Sequence, residues 1–446
     1  MDKNSTVEQT SVKSGFLERF FKLSQHGTSV KNEFIGGITT FATMAYIIFV
    51  NPNIMSASGM DPGALFVATC IGAAIGTLMM GLFANWPVGL APGMGLNAFF
   101  AFTVVGEMGY SWQVALGAVF ISGVIFVGLS VSRVREWVIE SIPTSLRYGM
   151  TAGVGLFLGI IGLKSAGIVV GSSATLVTLG DFTQPPAILA AVCFFIISVL
   201  SVKKVFGSVL IGIFSVTLIG LGLGLFEYNG IFSAPPSIAP TFMAMDIAGA
   251  FNVGMISIIL AFLFVNMFDT AGTLMGVAER ANLVNKETGK MDGLPKALKA
   301  DSLSSVIGAC FGCPPVTSYV ESAAGVSAGA RTGLSAVVVS LLFLAAIFLA
   351  PLAGMIPAYA TAGALIYVAF LMMSSIKNVN WDDFTDSVPA AVTALMMPLT
   401  FSISNGIALG FITYTVLKAG TGKFSDISIA MYALSILFVF KLIILG

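Results

Sequence analysis

Two carboxylates are the residues of this sequence best placed to do chemistry. Asp269 and Glu321 stand inside apolar runs, each with polar companions: Asn266, Asp269, Thr270 and Thr273 recur at offsets of three, four and seven, and Ser318, Glu321, Ser322 and Gly325 repeat the pattern. That spacing puts each set on one face of a helix. A carboxylate charge in the middle of a bilayer costs several kcal/mol or is relieved by protonation, so acids there are read as parts of a ligand or proton site. No Lys or Arg stands in the matching apolar segments to neutralise them, which argues against a purely structural ion pair. For Asn266, Thr270, Thr273 and Ser322, interhelical hydrogen bonding is as good a reading as ligand contact.

The four cysteines suggest less. Cys310 and Cys313 have CxxC spacing, but there is no second pair, and the sole histidine, His26, lies in the polar lead-in. A structural metal takes a full set of four ligands, so no metal or redox centre is expected. With Cys70 and Cys193 they are read as small packing residues.

Composition describes the elements that must carry the acids. Of 446 residues, 57% are hydrophobic and 9% charged, against about 25% charged in a soluble domain. Net charge is formally zero, so no nucleic acid or other polyanion is indicated as a partner. Residues 1–31 are polar and lack the apolar core and cleavage site of a signal peptide. Each helical crossing of a bilayer needs roughly 20 apolar residues. Apolar runs near 34–51, 63–84, 97–106, 112–131, 146–163, 187–202, 206–226, 251–277, 300–313, 319–329, 333–350, 357–375, 388–403 and 405–418 make fourteen segments. The stretch 427–445 follows, and the sequence leaves open whether it spans or lies at the interface. With the N-terminus cytoplasmic, all of the 21 Lys and Arg residues except Lys164 and Lys441 fall on the cytoplasmic side, including Lys3, Lys13, Arg133, Arg135, Lys286 and Lys290. This is the asymmetry that membrane insertion favours.

Segments 97–106 and 319–329 are too short to cross as helices, and each follows a Pro- and Gly-rich lead, Pro87 to Gly95 and Pro314 to Ser318. Extended backbone at membrane depth is tolerated only against protein or a cavity, because lipid offers no hydrogen bonds. The two breaks hold the third place in successive sets of seven, with helices expected to restart near Asn97 and Tyr319. Leu116 to Ser122 resembles Leu334 to Ser340, Ile142-Pro143 matches Ile356-Pro357, and Gly207 to Leu218 resembles Asn405 to Val416. Seven segments per half force opposite topology, an inverted repeat whose paired breaks mark a transporter's midplane site. Asn97 would either cap its half-helix or contact substrate. Asp246, Asp292, Asp301, Asp382, Asp383 and Asp386 are read as solvated or capping residues at loops and helix ends.

The stretches Gly36 to Pro52, Ala91 to Phe99, Val265 to Thr273 and Val316 to Ser322 resemble the purine permeases of the azaguanine-like branch of the nucleobase:cation symporters, over nearly the whole chain from about residue 16. The resemblance implies an all-α polytopic membrane protein of fourteen segments in a 7+7 inverted repeat, with segments 3 and 10 each a short strand plus half-helix. It implies a cytoplasmic segment 1–33, core-domain parts 34–142 and 251–354, gate-domain parts 143–250 and 355–420, and a C-terminal apolar segment 421–446. It further implies elevator-type alternating access, a homodimer through the gate domains, and no cofactor beyond a coupling proton. Asp269 and Glu321 match the substrate-facing carboxylates, Asn97 the half-helix asparagine, and Gly95, Leu96, Ser318, Tyr319 and Val320 the two short strands. Thr43, Asn266, Thr270, Thr273 and Ser322 complete the expected substrate contacts. Some relatives carry an acid where this chain has Asn266, so a proton role there is not expected.

An ionised carboxylate accepts from the N1–H of guanine or hypoxanthine and from the 2-amino group of guanine, whereas adenine needs a carboxyl group that both donates and accepts. The stretches Phe268 to Thr273 and Val316 to Ser322 resemble the guanine/hypoxanthine-preferring permeases of the family more than the adenine-preferring ones. The resemblance implies proton-coupled guanine or hypoxanthine uptake, with Glu321 binding the base and Asp269 binding and coupling, or the two roles reversed, and with adenine as the alternative. A bacterial inner membrane is the expected location. An anion transporter or channel of the same architecture is the rival class, although two acids suit an anion poorly. An intramembrane aspartyl protease lacks its Gly-x-Gly-Asp motif here.

Overall fold

Inside a bilayer, backbone N–H and C=O groups must find partners within the protein, so apolar runs fold as helices and any extended stretch must be paired. The computed structural model of the chain describes residues 15–131, 142–173, 175–281, 283, 291 and 293–444. Lys3, Lys13, Arg133, Arg135, Lys286, Lys290 and Asp292 lie outside the described residues.

In chain order, the first half comprises α1 (Phe16–Phe21), α2 (Val30–Met44), α3 (Ile47–Ser56), α4 (Pro62–Met79), β1 (Leu90–Pro92), α5 (Met94–Ala98), α6 (Trp112–Val131), α7 (Thr144–Ser165), the hairpin β2 (Val169–Ser172) and β3 (Leu176–Leu179), α8 (Pro185–Val202) and α9 (Ser208–Gly222). The second half comprises α10 (Ile247–Ala250), α11 (Val253–Arg280), α12 (Leu294–Cys310), β4 (Val316–Ser318), α13 (Ser322–Ser327), α14 (Gly333–Ala346), α15 (Ala350–Met355), α16 (Ala358–Met373), α17 (Phe384–Leu399), α18 (Ile403–Gly420) and α19 (Ile429–Ile444). Helix α4 shows how the starts are written in sequence: Asp61 accepts from the Ala64 N–H at 2.7 Å, and Pro62 occupies the first helical position.

All fourteen expected stretches carry helix. Eight helices among the described residues are long and apolar enough to cross a membrane, while Met94–Glu107 and Ser208–Gly222 are apolar but shorter. The half-helices begin at Met94 and Ser322 rather than near Asn97 and Tyr319. Helix α12 starts at Leu294, earlier than expected, because Pro295 suits a first turn and Gly293 takes the left-handed backbone before it. The hairpin β2–β3 was not expected. The undecided stretch 427–445 holds α19, which packs on α18 through a Thr415–Ser435 hydroxyl pair at 2.7 Å.

Strands β1 and β4, one from each half, pair antiparallel with Leu90 opposite Ser318 and Pro92 opposite Val316. Neighbouring side chains finish the pairing where water is absent. Thr77 Oγ1 accepts from the Leu90 N–H at 2.8 Å and donates to its carbonyl at 3.0 Å, and Ser305 Oγ donates to the Val316 carbonyl at 2.8 Å. Each strand is three residues long, and a single backbone hydrogen bond closes each end, from the Tyr319 N–H to the Gly89 carbonyl and from the Gly93 N–H to the Pro315 carbonyl, both at 2.9 Å. Gly95 and Leu96 therefore stand in α5, and Tyr319 and Val320 follow β4, which corrects the expectation that these four lie along strands.

The helices pack in two bundles. One joins α2 to α6 with α11 to α14, with α12 against α4 and α6, and α14 against α2 and α4. The other joins α7 to α9 with α16 to α18, with α7 against α16 and α17. Fully buried Glu33 ties α2 to the start of α14 by accepting from the N–H groups of Arg331 at 2.7 Å, Thr332 at 3.1 Å and Ser335 at 3.2 Å. A helix N-terminus favours such a carboxylate.

At one end of the second bundle, Lys418 Nζ lies 3.0 Å from Asp386 and 3.3 Å from Asp426, and Lys423 Nζ lies 2.8 Å from Asp383. As expected of a capping acid, Asp383 accepts from the Thr385 N–H at the start of α17. Hydrogen bonds from Lys423 and Thr385 hold its carboxyl well below the usual carboxylate range. A depressed folded-state value stabilises the protein above the unfolded value of about 3.9 and is lost as pH falls through the folded one. Asp383→Asn should therefore lower the melting midpoint in detergent at pH 7, and its difference from wild type should shrink below about pH 4. A difference independent of pH would rule this out.

Candidate functional site

Pairing of β1 with β4 brings α5 and α13 together, with α11 alongside. Between them and the second bundle is a cavity of about 90 Å³, lined by Gly95, Asp269, Thr273, Ser318, Tyr319, Val320 and Glu321 on one side and by Val368 and Met372 of α16 on the other. An adjoining space of about 20 Å³ adds Leu96 and, from α7, Met150, Thr151 and Val154. Small-molecule sites occupy roughly 300–1,000 Å³, so the space between the bundles is smaller than such a site.

The two acids are held differently. The Asp269 carboxyl lines both spaces and makes no hydrogen bond among the described residues. Glu321 Oε1 accepts the Tyr46 hydroxyl at 2.6 Å, and Thr43 Oγ1 lies 3.4 Å from the Glu321 carbonyl, anchoring the turn that carries it. Tyr319 donates its hydroxyl to the Pro92 carbonyl at 2.5 Å, clamping the two broken segments to each other.

Several of the expected contacts are engaged with other side chains. Asn97 is fully buried and donates to Asn51 Oδ1 at 2.6 Å, with Asn51 donating in turn to Thr69. It lines neither space. Asn266 donates to Ser305 at 3.0 Å, behind β4. Ser322 Oγ accepts from the Gly89 N–H at 2.9 Å, fixing the lead into β1. Thr270 donates to Asp301 at 2.7 Å and shares a hydrogen bond with Thr317.

Asp301 corrects the sequence reading. It is 0% exposed in the second turn of α12 and accepts from Thr270 at 2.7 Å and from Ser318 at 2.7 Å, so it is neither solvated nor a cap. A third carboxyl thus stands immediately behind the cavity. Its signal in the sequence was the run of hydroxyls at Ser302, Ser304 and Ser305, which marks a polar helix face. Tyr46 was also missed, although it lies within the stretch Gly36 to Pro52. Cys310 and Cys313 are free thiols, the latter buried.

Gly95 is where the bundles touch most closely at the site. A Cβ there would lie 2.2 Å from Val154 Cγ1. Valine is stiff at χ1 and yields little. Overpacking costs about 1–3 kcal/mol, so Gly95→Ala should slow substrate uptake roughly ten-fold, and Val154→Ala in the same protein should restore it. If the second substitution failed to rescue, the contact would not be what limits the variant.

Residues 31–409 match the profile of the Permease family, Xan_ur_permease. The chain belongs to this family. A permease of the xanthine/uracil family is a multi-pass membrane transporter, not an enzyme. Among curated family relatives, adenine permease AdeP of Escherichia coli strain K12 is 53% identical over 96% of both chains. Guanine/hypoxanthine permease PbuG of Bacillus subtilis strain 168 is 44% identical over 96% of this chain and 100% of its own. Among solved structures, the transmembrane domain of a cyanobacterium bicarbonate transporter, BicA, superposes with a TM-score of 0.61 at 17% identity, covering 85% of this chain and 97% of that one. The chain therefore has the inverted-repeat transporter fold.

Proposed function

We propose that this permease is a proton-coupled purine symporter. The observation that carries the reading is a pair of carboxyls, Asp269 and Glu321, lining a cavity between two bundles with no basic side chain on its wall. An anion site would want the reverse. The bundle of α2 to α6 and α11 to α14 acts as the moving core and the bundle of α7 to α9 and α16 to α18 as the gate, because the small cavity requires them to part for loading. The face rich in Lys and Arg is cytoplasmic, in a bacterial inner membrane, and two chains associate through their gates.

Adenine is the favoured base. AdeP is 53% identical to this chain and PbuG 44%, and the chemistry accommodates adenine if one carboxyl is protonated, since it then donates to ring N1 while accepting from the 6-amino group. Proton and base would bind together, which is the requirement for symport. Guanine and hypoxanthine are the second reading, favoured by the match of an ionised carboxylate to N1–H.

The test is uptake of radiolabelled adenine into proteoliposomes with an inside-alkaline gradient, competed by hypoxanthine, guanine, uracil and sulfate. Uptake abolished by a protonophore and inhibited by purines supports symport, and the stronger competitor ranks the bases. Sulfate-sensitive uptake that ignores purines would replace this reading with the anion transporter.

A further inference from the structure

A second, larger cavity is at the far end of α7, where Lys164 and Ser165 are remote from Arg147. It measures about 610 Å³ and is lined by Ala57, Phe102 and Glu107 from the first bundle and by Lys164 and Phe401 from the second. That volume is in the range of small-molecule sites, roughly 300–1,000 Å³, whereas the space beside the acids is not.

Its wall is unusual for this chain. Lys164 is one of two basic residues that the charge asymmetry leaves off the basic face, so topology does not explain it. Among the described residues it makes no ion pair within 4.0 Å, and its Nζ lies 5.5 Å from the centre of the Phe401 ring. Glu107 supplies an acceptor and Lys164 a donor. With one charge of each sign and two phenyl rings, the cavity suits a neutral, flat, heteroaromatic ring better than an anion or a cation.

The cavity is also wired to the central site. A π-helical stretch, Phe99–Glu107, runs from α5 at the carboxyls to Glu107 at this wall, and such irregular turns recur at functional sites. From its middle, Thr103 donates to the Phe401 carbonyl across the two bundles. Phe401 is held at φ +44°, a left-handed backbone that non-glycine residues rarely adopt, with its ring edge-on to Phe157. Phe401, on the wall of the cavity, is therefore a point of contact between the two bundles.

We infer that this cavity is a second nucleobase site, at which a base docks between Glu107, Lys164 and the Phe102 and Phe401 rings before the bundles part. The inference rests on the purine reading for its ligand, and the experiment separates the two. Full-length Ala57→Cys protein, also carrying Asp269→Asn and Glu321→Gln to disable the central site, is reconstituted in liposomes and treated with a membrane-impermeant maleimide. The same protein without Ala57→Cys is the blank.

Adenine should slow the alkylation several-fold while sucrose does not. Adding Glu107→Gln or Lys164→Met should raise the adenine concentration for half-protection roughly ten-fold, the effect of one lost charge-assisted hydrogen bond. An alkylation rate without adenine equal to that of the parent shows that these variants fold. No protection, protection that persists unchanged in both wall variants, or protection by any solute alike overturns the site. Purine uptake by the wild type is measured in parallel: protection without uptake removes the symporter and keeps the site, and uptake without protection does the reverse.

Discussion

Asp269→Asn should end pH-driven accumulation of purine while leaving the protein folded. Aspartate and asparagine have nearly the same shape, so packing on α11 is retained. The Asp269 carboxyl faces the cavity without a hydrogen bond among the described residues, so no internal network is broken. What is lost is the ability to take up and release a proton, together with the hydrogen bond that the protonated carboxyl donates to the base, worth about 0.5–1.5 kcal/mol, or roughly 2- to 12-fold in affinity. Uptake under an imposed pH gradient, paired with equilibrium binding of labelled adenine, separates the two losses. Glu321→Gln should behave differently, weakening binding more than coupling, because the Tyr46 hydroxyl already engages Glu321. If Asp269→Asn still concentrated substrate with normal proton stoichiometry, the coupling role would belong elsewhere, and Asp301 would be the next acid to test.

Asp301→Ala should be the most destabilising change near the site. Two buried hydroxyls, Thr270 and Ser318, donate to this carboxyl, and each would lose its acceptor at a cost of about 1–3 kcal/mol. The two losses together, about 2–6 kcal/mol, should lower the melting midpoint by roughly 5 °C. Ser318 closes the β1–β4 pairing and Thr270 reaches Thr317 in the same strand, so uptake should fall with stability. Asp301→Asn keeps one acceptor and should recover part of the midpoint. A melting midpoint unchanged in Asp301→Ala would mean that the hydroxyls re-pair locally and that α12 does not hold the strand.

Most of the architecture was legible because its signals are local. Apolar runs, Pro and Gly breaks and charge asymmetry report the solvent that each stretch meets, and the solvent here is lipid. Helix α6, Trp112–Val131, coincides with its expected span because nothing interrupts its apolar run. Asp269 and Glu321 stood out for the same reason, as acids where lipid penalises charge.

What the sequence alone determined, then, is which stretches are apolar helices, where two of them break and which acids stand inside apolar runs. The tertiary structure decided which way each polar side chain turns, because that depends on neighbours far along the chain. Asn97 and Thr270, expected as contacts, turn to Asn51 and Asp301. Tyr46 reaches Glu321 across 275 residues. Helical periodicity assigns a residue to a face, but only packing decides whether that face meets a cavity or another helix.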